Sequence, residues 1–157
     1  MKDADKLPGQ TAPGARLLLV TSPYYRAVTD MMQRGAEAAA TAAQATLDRV
    51  FVPGAFEIPG AIAAAAKYGK YDGYIALGCV VRGETSHYDY VCGESARGLM
   101  DLTIREGLSI GYGILTVENL AQAEERADTR RGDKGGEATR ACIAMIALKR
   151  HLADAAR

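Results

Sequence analysis

The chain has 157 residues, 48% of them apolar, and its nineteen basic side chains offset nineteen acidic ones. That length suits one domain with its own core, and the balanced charge offers no long-range field to recruit nucleic acid or an anionic membrane, so neither is expected as a partner. Cys79, Cys92 and Cys142 are odd in number and far apart, and with only His87 and His151 beside them they argue against a disulfide framework and a zinc site.

Residues 1–15, with Pro8, Gly9, Pro13 and Gly14 among small and charged residues, read as an N-terminal arm, flexible or docked on a neighbouring subunit. A single domain over 16–157 is expected to follow. The arm lacks the apolar core of a signal peptide and no apolar run is long enough to span a bilayer, so a reducing cytoplasm is the expected compartment. Arg16 to Val20 is a short buried strand with Thr21 to Tyr25 as its exit loop. Ala27 to Gln44, rich in Ala, Met and Gln, favours helix despite Gly35. Leu47 to Val52 is a second strand ending at Pro53-Gly54. Ala55-Phe-Glu-Ile-Pro59 opens a helix to Lys67, with Pro59 early enough that its missing N–H does no harm.

After the turn at Tyr71-Asp72-Gly73, an apolar run from Tyr74 to Val81 reads as a third strand. Arg82 to Ser86 interrupts it, and a helix leaves through Tyr88, Val91, Ser95, Leu99 and Leu102 and stops at Gly107. Ser109 to Val117 is a fourth strand despite Gly111 and Gly113. Leu120 to Ala127 is a short helix, Asp128 to Gly136 a loop, and a last helix runs to about Ala155. This helix is apolar on two sides, Ala138, Ala141, Met145, Leu148 and Leu152 on one and Ile143, Ile146 and Ala147 on the other, which predicts a subunit contact in addition to a core contact. Strands alternating with helices imply crossovers that impose a parallel sheet with helices on both faces. The expected fold class is α/β, a flavodoxin-like three-layer α/β/α sandwich around a four-stranded parallel sheet.

Such a sheet binds ligands beyond the carboxyl ends of its strands. The loops 21–25, 53–57, 82–87 and 112–119 are therefore expected to converge. Tyr24, Phe56 and Tyr112 offer aromatic surface to a flat heterocycle, Glu57 and Asn119 offer hydrogen bonds, and the loop Gly83 to Ser86 offers backbone amides to an anion at a helix start. His87, in the first helical turn, is either a general acid/base or a partly exposed histidine at a helix end. The helix dipole disfavours its imidazolium, whereas Glu84 or Asp89 would favour it. Arg82 and Arg126 are either phosphate ligands or surface ion-pair partners, and Lys134 is either an anion contact or an idle charge. The cysteines read as small buried hydrophobes.

Four motifs in series, Pro53-Gly-Ala-Phe-Glu-Ile-Pro59, Gly78-Cys-Val-Val-Arg-Gly-Glu-Thr-Ser-His-Tyr-Asp-Tyr-Val-Cys92, Gly113-Ile-Leu-Thr-Val-Glu-Asn119 and Lys134-Gly-Gly136, resemble in order and spacing those of the lumazine synthases of riboflavin biosynthesis. The resemblance covers about Leu17 to Leu148. It implies condensation of 5-amino-6-(D-ribitylamino)uracil with 3,4-dihydroxy-2-butanone 4-phosphate to 6,7-dimethyl-8-ribityllumazine, phosphate and water, with no metal or other cofactor. By the same resemblance His87 is the proton donor and acceptor. Tyr24, Ala55, Phe56, Glu57, Cys79, Val80, Val81 and Tyr112 meet the pyrimidine and its ribityl chain. Glu84, Thr85, Arg126 and Lys134 meet the phosphate. The resemblance further implies a homo-pentamer as the minimal unit, with Arg126 and Lys134 reaching the site from an adjoining subunit. The loop Asp128-Thr-Arg-Arg-Gly132 departs from the version associated with icosahedral shells, leaving pentamer, decamer and 60-subunit shell all open. A non-catalytic flavin or lumazine binder that keeps the pocket is the alternative function.

Overall fold

A computed structural model describes residues 10–157. Four strands, β1 (Arg16–Thr21), β2 (Thr46–Phe51), β3 (Gly73–Val81) and β4 (Ile110–Val117), form one sheet in the order β2-β1-β3-β4 with every pairing parallel. Parallel neighbours need crossovers. They are supplied by α1 (Arg26–Ala42), α2 (Ile58–Lys67, entered through a 3-10 turn at Ala55–Glu57) and α3 (His87–Arg105); α4 (Leu120–Ala127) and α5 (Lys134–Ala155) complete the chain.

The three layers follow from the two-residue period of the strands. Leu17 and Leu19 of β1, Ile75 and Leu77 of β3 and Leu115 and Val117 of β4 point to one side and pack with Val28 and Met32 of α1 and Ile143 and Ile146 of α5. The alternate residues Leu18, Val20, Tyr74, Ala76 and Ile114 face Ile58 and Ile62 of α2 and Leu99 of α3. Leu17, Leu19, Ile58, Ile62, Ile75, Leu77 and Ile143 are fully buried, each contributing about 2 kcal/mol of apolar transfer. β2 is an edge strand and leaves Val50 and Phe51 exposed.

The two glycines inside β4 have a packing cause. A Cβ on Gly111 would lie 2.1 Å from the Ala138 carbonyl oxygen of α5, and one on Gly113 would lie 2.5 Å from Leu77 Cδ2. Their absent side chains let α5 lie directly on the strand. The same logic corrects the expected loop over 128–136, because α5 already begins at Lys134 and takes Gly135 and Gly136 into its first turn. A Cβ on Gly135 would lie 2.0 Å from the Met32 carbonyl oxygen of α1, so these glycines serve a close helix crossing. The sharp entry is made by Asp133, a non-glycine residue at φ 47°.

Ala138, Cys142, Ile143 and Ile146 turn α5's buried face to the sheet, while Met145, Leu148 and Leu152 remain exposed on an adjoining face. Part of the expected N-terminal arm is packed on its own chain: Ala12 and Ala15 are buried, and the Ala12 and Gly14 N–H groups donate to the Ala43 and Gln44 carbonyls at 3.0 Å. Residues 1–9 of that arm lie outside the described residues.

Candidate active site

The order 2-1-3-4 places a topological switch point between β1 and β3, where one crossover leaves toward β2 and the other toward β4. A crevice of about 690 Å³ opens beyond their carboxyl ends, lined from the β1 exit by Ser22, Tyr24 and Tyr25 and from β3 by Cys79, Val80 and Val81. Residues Pro53 to Glu57 form a third wall, and His87, Tyr90 and Val91 of α3 a fourth. Eight of the sequence-derived candidates, Tyr24, Ala55, Phe56, Glu57, Cys79, Val80, Val81 and His87, therefore meet in one place.

Backbone bonds hold these walls in register. The Ser22 N–H donates to the Leu77 carbonyl and the Val52 N–H to the Thr21 carbonyl, both at 2.9 Å, and Ser22 Oγ donates to the Pro53 carbonyl at 3.4 Å. The turn at 55–57 is closed by the Glu57 N–H donating to the Gly54 carbonyl at 3.1 Å. α3 is set against the start of α2, which follows this turn, by a missing side chain, since a Cβ on Gly98 would lie 2.9 Å from Pro59 Cβ. Tyr24 is 75% exposed and Phe56 57%, so the mouth presents two open aromatic surfaces. Tyr24 meets Tyr25 edge to face at 5.0 Å, and burial together with Tyr24 raises the Tyr25 phenol pKa.

The loop 82–86 joins the lining residues Val81 and His87 as a lip at the crevice edge, and the candidates Glu84 and Thr85 on it do not themselves line the crevice. His87 is the first residue of α3, solvent-exposed, and its N–H donates to Thr85 Oγ1 at 3.4 Å. Glu84 and Thr85 are exposed beside it, and a Cβ on Gly83 would meet nothing within 4 Å, so this part of the lip is open to an incoming anion. Burial pushes the Cys79 thiol up to about 11, so it stays protonated at neutral pH and meets a ligand as an apolar group. Burial likewise raises Cys92, and pushes Cys142 to about 12.

Three candidates lie elsewhere in the chain. Tyr112, Arg126 and Lys134 line a separate depression of about 470 Å³ along β4, with Glu137, Ala138 and Ala141 beside them. The expected convergence of four loops is thus corrected at its fourth member: Tyr112 sits within β4, paired in register with Ala76, and not beyond the strand's end. Arg126 donates to the Gln122 carbonyl of its own helix at 3.1 Å, and Lys134 Nζ lies 3.0 Å from Glu137 Oε2. Asn119, expected to hydrogen-bond a ligand, is instead the N-cap of α4: its Oδ1 accepts from the Gln122 N–H at 2.9 Å.

Arg82 is likewise occupied, with Nε donating to Glu118 Oε2 at 2.8 Å, and it does not line the crevice. Ser22, Tyr25, Pro53 and Gly54 belong to two of the loops expected to converge without having been singled out, and Tyr90 and Val91 of α3 were not expected at the crevice. Ser22 and Tyr25 share the β1 exit loop with Tyr24, which was the available signal; Tyr90, in the first turn of α3 with His87, is 67% exposed. Among the described residues no group of three or more His, Cys, Asp or Glu side chains is placed to hold a metal ion.

Comparison with known proteins adds the family. The model of the 6,7-dimethyl-8-ribityllumazine synthases matches residues 14–150. The chain belongs to this family. Among curated synthases of that name, the one from Methylobacterium radiotolerans is 52% identical over 98% of this chain and 95% of its own. Those from Novosphingobium aromaticivorans, 53% identical over 86% and 96%, and Bartonella henselae, 51% identical over 88% and 90%, are similar. The lumazine synthase match runs from ahead of β1 to Arg150 in α5, so it contains both the His87 crevice and the β4 depression. No helix among the described residues is long and apolar enough to cross a membrane.

Proposed function

We propose that this chain is a 6,7-dimethyl-8-ribityllumazine synthase, condensing 5-amino-6-(D-ribitylamino)uracil with 3,4-dihydroxy-2-butanone 4-phosphate in the penultimate step of riboflavin biosynthesis. The observation that carries the reading is the crevice at the β1/β3 switch point, where aromatic surface, a carboxylate, an exposed imidazole and an amide-bearing lip converge in a chain of this family. Tyr24 and Phe56 supply faces for the pyrimidine, Cys79 to Val81 its edge, and the turn Ala55 to Glu57 the ribityl hydroxyls. The lip at Glu84 and Thr85 takes the phosphate. His87 moves protons as the amine adds to the ketone and water leaves, as phosphate is expelled, and as the ring closes. Holding both substrates in one crevice accounts for much of the acceleration.

The complete site belongs to an oligomer in this reading, a homo-pentamer as minimal unit in the cytoplasm. Arg126 and Lys134 are separated from the His87 crevice of their own chain, and α5 leaves Met145, Leu148 and Leu152 exposed. Both features fit a neighbour that brings the β4 depression to the crevice. Incubating the protein with both substrates should produce lumazine absorbance and one phosphate per lumazine. Binding of the product without turnover would instead favour a flavin or lumazine binder.

A further inference from the structure

Arg82 occupies the junction between β3 and the lip, but its guanidinium is turned toward two carboxylates. Nε donates to Glu118 Oε2 at 2.8 Å, Nη1 lies 3.5 Å from Asp89 Oδ1, and the guanidinium carbon is 4.3 Å from the Tyr88 ring centroid. Its backbone N–H is fixed to the Val117 carbonyl at 2.9 Å. Asp89 lies in the first turn of α3, two residues beyond His87, and its N–H donates to the Ser86 carbonyl at 3.0 Å. Glu118 follows β4 directly. Two negative charges therefore flank the loop that must accept a phosphate, and one positive charge sits between them.

We propose that Arg82 is a positioning residue for the phosphorylated substrate: by pairing with Asp89 and Glu118 it offsets their repulsion of the anion at the lip. It is not itself a phosphate ligand in this reading, because its Nε and Nη1 are turned to Glu118 and Asp89. The inference rests on the synthase reading. With one cation and two anions the cluster carries a single net negative charge; removing the cation doubles it within about a Debye length of the lip.

The test is a charge series assayed with both substrates. Arg82→Gln should raise the KM for the phosphorylated ketone about fivefold, the order expected from two exposed ion pairs, while kcat and the KM for the pyrimidine amine stay within about twofold. Inhibition by inorganic phosphate should weaken in parallel, and the difference from the parent protein should shrink at about 0.5 M salt, where screening is short-ranged. Arg82→Lys keeps the charge and should remain close to the parent. Adding Asp89→Asn and Glu118→Gln to Arg82→Gln should return the ketone KM to the parent value or below it.

Equal increases in both KM values, or no recovery in the triple variant, would mean that Arg82 only supports the loop and would overturn the proposal. Should Arg82→Gln not assemble, Asp89→Asn/Glu118→Gln with Arg82 intact carries the test: its ketone KM should fall, and an unchanged value overturns the proposal. Absence of lumazine from the parent protein would instead sink the synthase reading, which keeps the two failures apart.

Discussion

The separation of His87 from Arg126 within one chain makes a quantitative prediction about mixed oligomers. His87→Ala removes an exposed side chain at the start of α3, and Arg126→Ala one on α4, so neither should disturb either core layer. Each variant alone loses one component from every site. If the two half-sites face each other across a subunit boundary, the variants unfolded together in equal amounts and refolded will assemble at random. A site is then intact when the chain supplying its crevice carries the Arg126 lesion and the neighbour supplying its depression carries the His87 lesion. Each condition holds half the time, so about one quarter of sites, and about one quarter of parent activity, should return. Lumazine formation per milligram, compared with each variant refolded alone, is the measurement. A site contained in one chain predicts no recovery, since every chain carries a lesion, and a mixture no more active than its components would refute the shared-site argument.

Other expectations follow from the packing and the ionisable groups. His87→Ala should lower kcat by about 10²–10⁴-fold, the usual range for a lost general acid/base, with an unchanged circular dichroism spectrum. Gly111→Ala sets a Cβ 2.1 Å from a backbone oxygen of α5 and should cost about 3 kcal/mol, or roughly 10 °C in Tm. Gly98→Ala meets the rigid Pro59 ring at 2.9 Å, an overpacking cost of about 1–3 kcal/mol that helix propensity offsets by about 1 kcal/mol, so it should destabilise less than Gly111→Ala; equal effects at the two positions would contradict the contacts described. Cys79 is held protonated in the fold, with its pKa raised to about 11 by burial. Because the native state then binds more protons than the unfolded one above pH ~9, stability should be complete below that pH and fall as the pH rises toward 11. Cys79→Ala should flatten that decline in urea titrations, and an unaltered slope would remove Cys79 as a contributor.

Much of the architecture was legible in the chain itself. The apolar runs, the alternating helical stripes and the breaks at Pro53-Gly54, 82–86 and Gly107 reflect local periodicity and local backbone preference, which a sequence displays directly. The site was partly legible for the same reason. Tyr24, Phe56 and His87 each follow a strand or open a helix, and strand ends in a parallel sheet share one edge. Tyr112 was grouped with the strand-end loops although the expected strand 109–117 already contained it, and the structure puts it within β4, in the depression it shares with Arg126 and Lys134. Lys134 was assigned to a loop because Gly135 and Gly136 lower helix propensity, but their closeness to α1 and to Asp133 outweighs it.

By itself the sequence determined the order of elements, the faces that must be buried, the catalytic candidate His87 and, through its motifs, the family resemblance. Tertiary structure alone decided that β1 lies between β2 and β3, that Arg82 is turned to Glu118 and Asp89, and that Arg126 and Lys134 lie along β4 away from the His87 crevice. The physical reason is range. Periodicity and turn chemistry act between residues a few positions apart, whereas strand order, helix proximity and the choice of ion-pair partner are set by contacts between distant segments that come together only when both faces of the sheet are covered.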